Sequence, residues 1–331
     1  MKRTIFAVLT FAVCSAALAQ VSVTERSTAN PTSTVARIAI DTWDRSIVPL
    51  IQERRETKVD PATTRTDSVA KARGVDGTYF DWQRESTVTR RTAPNMTTTA
   101  TDVTETDRQG ATRATRHIDE TVTTQGANES ARKDEYRRNA SGQMVLDRQV
   151  TVNATRNSDG SVRSVRVEKA AGVSGNLVPE REIDETIVTR GPGERQIDRT
   201  IKTVSHIDGQ WAVTGRESST VRTESKSERT ETVSEIRTTD GWKTVGQSTT
   251  AETRAADGTV QREIIERGVP LYEKFTSFPT EPLAPKRRIV ESEVRRPDGS
   301  TMIRRDVYRR DVNGEWKPEA FSADVDAKSR Y

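Results

Sequence analysis

The sequence predicts an all-β protein, an elongated antiparallel β-meander of repeated long hairpins in a thin or single-layer sheet. Three observations predict it. Nine short turn signals ending in glycine punctuate the chain, they recur at a nearly regular interval, and the segments between them are rich in threonine and in alternating charge.

The turn signals come first because they carry the most. Seven place an arginine four residues before the glycine: Arg73–Gly77, Arg138–Gly142, Arg156–Gly160, Arg237–Gly241, Arg254–Gly258, Arg295–Gly299 and Arg310–Gly314. Asp208-Gly209 and Arg108-Gln109-Gly110 are looser copies. Asp-Gly and Asn-Gly pairs tolerate positive φ, which makes them the strongest local hairpin signal between extended segments. The arginine reads as the end of a strand, covering the turn and pairing with a nearby carboxylate, rather than as an array of ligand readers.

From Asp76 onward the turns recur at about 16 residues or a near multiple of it. Three gaps are double length, and each holds a weaker turn candidate near its middle: Pro94-Asn95, Gly175-Asn176 and Ser225-Lys226. Strands of about 12 residues remain, each about 40 Å long. Alternation supports some of them. Met144, Leu146, Val150, Val152 and Ala154 share one parity, as do Ile197, Ile201 and Ile207. Residues 84–137 and 214–235 are too polar for a thick core, which leaves a thin sheet or incomplete order there.

The ends read differently. Lys2 and Arg3, an apolar run from Ile5 to Val13 and the motif Ala17-Leu18-Ala19 make residues 1–19 a secretory signal peptide cleaved after Ala19. Residues 20–61 form an apolar, proline-containing segment, in which Val35, Ile38, Ile40, Trp43, Ile47, Leu50 and Ile51 read equally as a short N-terminal helix or a strand. The repetitive hairpin region spans 62–268, and a proline-rich joint with basic C-terminal hairpins fills 269–331. The single cysteine, Cys14, lies in the signal segment, so the exported chain is built without disulfides.

Charge excludes several classes. The chain has 53 basic and 49 acidic residues, and removing Lys2 and Arg3 with the signal leaves 51 against 49. Interspersed signs point to pairs across a solvated sheet face, not to a charged tail. No glycine-rich phosphate loop is present, so no nucleotide cofactor is expected, and no other cofactor or metal either. The two histidines fall in matching triplets, His117-Ile118-Asp119 and His206-Ile207-Asp208, and read as ion pairs rather than catalytic dyads. Carboxylate pairs such as Asp184 and Glu185 recur without one standing out, so the protein reads as a non-enzyme.

Two surfaces stand out as candidate sites. The hairpin 286–310 is locally basic, with Arg287, Arg288, Arg295, Arg304, Arg305 and Arg309 as candidate polyanion contacts. Trp82, Trp211, Trp242 and Trp316 lie close to turns and form a candidate aromatic platform, or plugs for hairpin ends. The resulting expectation is a secreted or cell-envelope, periplasmic or extracellular repeat protein with a structural, adhesive or scaffold role and scope for self-assembly. The alternative is a soluble secreted module that binds an anionic polymer such as acidic polysaccharide, lipopolysaccharide or nucleic acid. A membrane-spanning barrel is rejected, because strands such as 96–107, 111–124 and 228–238 lack the outward apolar face that lipid requires.

Overall fold

The computed structural model describes residues 51–73, 79–107, 110–172, 174–204, 209–268, 283–311 and 313–318. The signal segment, the apolar stretch 35–50, the turn at Gly77, the triplet at His206 and the joint 269–282 lie outside them. The described residues contain strands and turns and no helix.

Seventeen strands follow one another: β1 (Ile51–Asp60), β2 (Thr63–Arg73), β3 (Tyr79–Ala93), β4 (Met96–Thr106), β5 (Thr112–Gln125), β6 (Asn128–Arg138), β7 (Met144–Arg156) and β8 (Val162–Ala171). They continue through β9 (Leu177–Gly191), β10 (Glu194–Val204), β11 (Trp211–Thr223), β12 (Ser227–Thr238), β13 (Gly241–Arg254), β14 (Val260–Gly268), β15 (Pro285–Arg295), β16 (Thr301–Arg310) and the short β17 (Trp316–Pro318). Each pairs antiparallel with the next, and β1 also pairs with β16 through Ile51↔Arg304, Gln52↔Ile303, Glu53↔Met302 and Arg54↔Thr301. Sixteen strands therefore close into a ring, and β17 adds to the same edge of β16 beyond the seam.

This corrects two expectations. The chain is all-β, but it is a closed barrel and not an open, elongated meander or thin sheet. The rejection of a barrel rests on lipid at the outer face, whereas closure needs only hydrogen-bonding partners for the two edge strands. The expectation that the chain does not span a membrane rested on that rejection, and the closed sixteen-strand barrel overturns it. A closed barrel is the one strand architecture that satisfies every backbone group of a crossing segment.

The turns explain the arginine–glycine signature. Five signature turns, at Gly142, Gly160, Gly258, Gly299 and Gly314, share one five-residue hydrogen-bond pattern with the turns at Gly110 and Gly175, seen in Asn139 N–H donating to Gln143 O (2.8 Å) and Gly142 N–H to Asn139 O (2.9 Å). The fourth residue is always glycine, with φ of 85° at Gly142 and 84° at Gly314, a conformation that side-chain-bearing residues seldom adopt. Arg138 Nε donates to Gly142 O (3.1 Å) and Arg310 Nε to Gly314 O (2.8 Å), so these arginines brace the turns they precede. Pro94-Asn95, Gly175-Asn176 and Ser225-Lys226 are turns as well.

Alternate residues of each strand face the barrel interior, and most of the buried strand side chains fall on that parity. Apolar patches are small. Val122, Ala131, Val150 and Val152 form one, and the cross-strand row Ile264, Ile289, Val307 forms another. Elsewhere hydroxyls and ion pairs take their place. Ser219 and Thr232 share a buried hydrogen bond of 2.9 Å, and Thr87 and Thr101 a half-buried one of 2.9 Å. The polar segments 84–137 and 214–235 thus become strands because cross-strand polar pairs replace apolar packing.

The most buried row is charged. Glu252, Arg262, Glu291 and Arg305 are successive cross-strand partners on β13 to β16. Arg262 Nη2 lies 3.1 Å from Glu252 Oε2, Arg262 also donates to Glu291, and Arg305 Nε lies 2.6 Å from Glu291 Oε2. Arg305 is 1% exposed and Glu291 2%. A second trio places Arg199 between Glu185 (2.6 Å) and Glu217 (2.5 Å). A third sets Glu168 between Arg166 (2.6 Å) and Arg181. Burial pushes the Glu168 carboxyl up, but the two guanidiniums outweigh it and hold it below the ordinary carboxylate range.

Candidate functional site: an outward girdle at one rim

In an up-and-down ring the turns after even-numbered strands gather at one end, which we call the second rim. Every hairpin described there carries an irregularity except the last. Register shifts place one extra residue in the returning strand at Trp82, Thr115, Asp147, Glu180, Thr214, Val245 and Lys286. Each extra residue is a β-bulge, and it reverses the inside–outside parity of the strand beyond it.

The consequence is visible three residues before each bulge. Tyr79, Thr112, Met144, Leu177, Trp211, Trp242 and Leu283 stand there, and the strand register turns the first six outward, with Leu283 on the same parity. All but Thr112 are large and apolar. Trp316 joins them from β17, paired with the outward Arg310. Tyr79 is 46% exposed, Met144 39%, Trp211 39% and Trp242 36%. Val145 and Val178, also exposed, lie at the same rim on the inward parity. The parity seen in the bare sequence had joined Met144 and Leu146 to Val150, Val152 and Ala154. The bulge at Asp147 separates them, with the first two outward and the last three inward.

The four candidate tryptophans therefore share one rim but not one stack. Trp82 sits in the bulge of β3, half-buried, while Trp211, Trp242 and Trp316 are spread over β11, β13 and β17. Neighbouring girdle strands are separated by an intervening strand, so their side chains stand about 10 Å apart. Arg216, ion-paired with Glu235, lies over the Trp242 ring at 4.6 Å from its centroid. Basic partners are frequent: Arg138 is directly opposite Met144, Arg237 opposite Trp242 and Arg310 opposite Trp316. These are arginines of the turn signature, and all three are exposed. Sequence reading found Trp211, Trp242 and Trp316, and Tyr79 and Met144 with them, as large residues just after turns, but not their common outward face, because periodicity counts residues and does not see a bulge.

The basic hairpin becomes β15 and β16, where its six arginines do not form one face. Arg305 is buried in the charged row, and Arg287, also inward, lies 4.0 Å from Glu266. Arg309 faces Arg287 across the strands, inward and exposed at the second rim, while Arg295 lies at the first. Arg288 and Arg304 point outward, paired with Glu263 (2.7 Å) and Asp306 (3.6 Å). Asp184 and Glu185 likewise separate, the first outward to Lys202 (2.7 Å), the second inward to Arg199. Among the described residues no group of three or more His, Cys, Asp or Glu side chains is placed to hold a metal ion.

His117 lies on the outer wall between two carboxylates. Its Nδ1 is 2.6 Å from Asp102 Oδ1 across the strands and its Nε2 3.2 Å from Asp119 Oδ1 on its own strand. The ring also lies 5.9 Å from that of Tyr136. The hydrogen bond that His117 donates to Asp102 raises the imidazole pKa, partial burial opposes it, and Asp119 adds to the rise. A raised folded-state value contributes stability that is complete below the unfolded value of about 6.5 and is lost as pH rises through the folded value. His117→Ala is therefore expected to lower the melting temperature more at about pH 5.5 than at about pH 8.5. Equal losses at both pH values would show that the pair contributes nothing.

No family model matches the chain, and no curated protein matches it. Among solved structures, a porin-like protein from Bacteroides uniformis is similar at 10% sequence identity, covering 78% of this chain and 97% of that one. Its TM-score of 0.19 is too low for the likeness to carry any argument about this chain, whose barrel rests on its own strand pairing.

Proposed function

We propose that the chain is a non-catalytic barrel of the cell envelope with a scaffold role. The observation that carries this reading is the closed ring itself, whose outer wall offers a broad face of threonine, arginine and carboxylate side chains held in cross-strand pairs. Such a wall keeps its shape without a thick core, because each pair fixes two neighbouring strands. The N-terminal segment, read as a secretory signal, supports the same compartment.

Fractionation of a Gram-negative host expressing the full chain tests this. The expected result is recovery with the envelope and an N-terminus at Gln20. Recovery in the cytoplasm with Met1 retained would overturn it.

A further inference from the structure

We propose that the second rim is a docking surface for an anionic lipid bilayer, the girdle entering the headgroup region while the rim arginines meet lipid phosphates. The inference rests on the envelope reading for its setting and on separate observations for its content.

The first observation is that exposed large side chains are concentrated. Tyr79, Met144, Trp211 and Trp242 occupy equivalent outward positions three residues before a bulge, and Leu177 takes the same place. The positions return because the bulges do, at 82, 115, 147, 180, 214 and 245. A packing role would leave these side chains covered, and the four named first are not.

The second observation is the shape of the set. It follows alternate strands around a closed ring, with about 10 Å between members from β7 to β13 and a break at Thr112 on β5. A globular partner would have to follow that circumference, whereas a flat bilayer meets all members at once. Tryptophan and tyrosine are the residues whose apolar body and polar edge suit the headgroup level.

The third is charge. Arg138, Arg237 and Arg310 stand directly opposite girdle residues on the outward face, exposed to the same surface. Two of them are also held in place by the turn carbonyls of Gly142 and Gly314. Guanidiniums beside large apolar side chains complement phosphate and acyl chain together, which selects an anionic bilayer over a neutral one.

The test is flotation of the purified chain with phosphatidylcholine vesicles containing phosphatidylglycerol. Wild type is expected to float, and Trp211→Ser/Trp242→Ser/Trp316→Ser to lose about tenfold in bound fraction. A control with Val59→Ser and Val233→Ser, exposed residues away from this rim, is expected to float like wild type. Quenching of tryptophan fluorescence by brominated lipid, in a Trp43→Phe background, reads rim contact without altering the rim. Absence of wild-type flotation, flotation of the triple variant, or absence of quenching would each overturn the proposal. So would a rim-to-rim dimer in light scattering that the triple variant abolishes while vesicles leave it intact. Failure here with recovery in the envelope fraction would remove the rim contact and leave the envelope reading standing.

Discussion

Replacing Glu291 by leucine is expected to destabilise the barrel by about 3–5 kcal/mol, the cost of leaving buried charge without its partner. Glu291 is the acceptor for both Arg262 and Arg305, and all three are nearly excluded from solvent. The charged form of each guanidinium persists after the change, and Arg262 keeps Glu252, so the loss falls chiefly on Arg305, which stays buried without the Glu291 carboxylate. Arg305→Leu alone leaves Glu291 its bond to Arg262 and is expected to cost less. The double variant Glu291→Leu/Arg305→Leu keeps the Glu252–Arg262 pair and replaces two buried charges by apolar volume, so much of the loss should return. Urea unfolding of the two single variants and the double variant gives the coupling energy. Additive losses would mean that the row is not the cooperative unit its geometry describes.

A disulfide across the seam is expected to be the largest stabilising change available. Glu53→Cys/Met302→Cys joins directly opposed residues of β1 and β16 and closes a loop of about 250 residues, worth about 5 kcal/mol in the chain-entropy model. Cys14 is the one native cysteine of the chain, and Cys14→Ser removes it as a competitor. The seam is the shortest joint of the ring, four residue pairs against nine in the adjoining β15–β16 pairing. An open chain of hairpins would hold these two residues far apart, so the bond would not form under mild oxidation. Failure to form it in a folded variant would return the architecture to an open meander. Formation with a raised unfolding midpoint is the outcome expected of a closed barrel.

The same seam separates what sequence determines from what tertiary structure decides. All-β character, the positions of most turns and the approximate strand length were legible, because Asp-Gly and Asn-Gly act within a few residues. The pairing of His117 with Asp119 was legible for the same reason, two positions along one strand sharing a face. The contribution of Asp102 required knowing which strand lies beside it. Closure required more, since Ile51 and Arg304 are partners separated by nearly the whole described chain, and no local preference encodes that contact. The charged row was hidden because Glu252, Arg262, Glu291 and Arg305 look like solvent-facing residues until the ring encloses them. The girdle was legible as large residues close to turns, but its common outward face was hidden because each bulge resets the two-residue alternation on which a face is read. Local backbone chemistry thus determined the strands and their turns, while long-range hydrogen bonding decided that they form a barrel and which side of each strand faces inward.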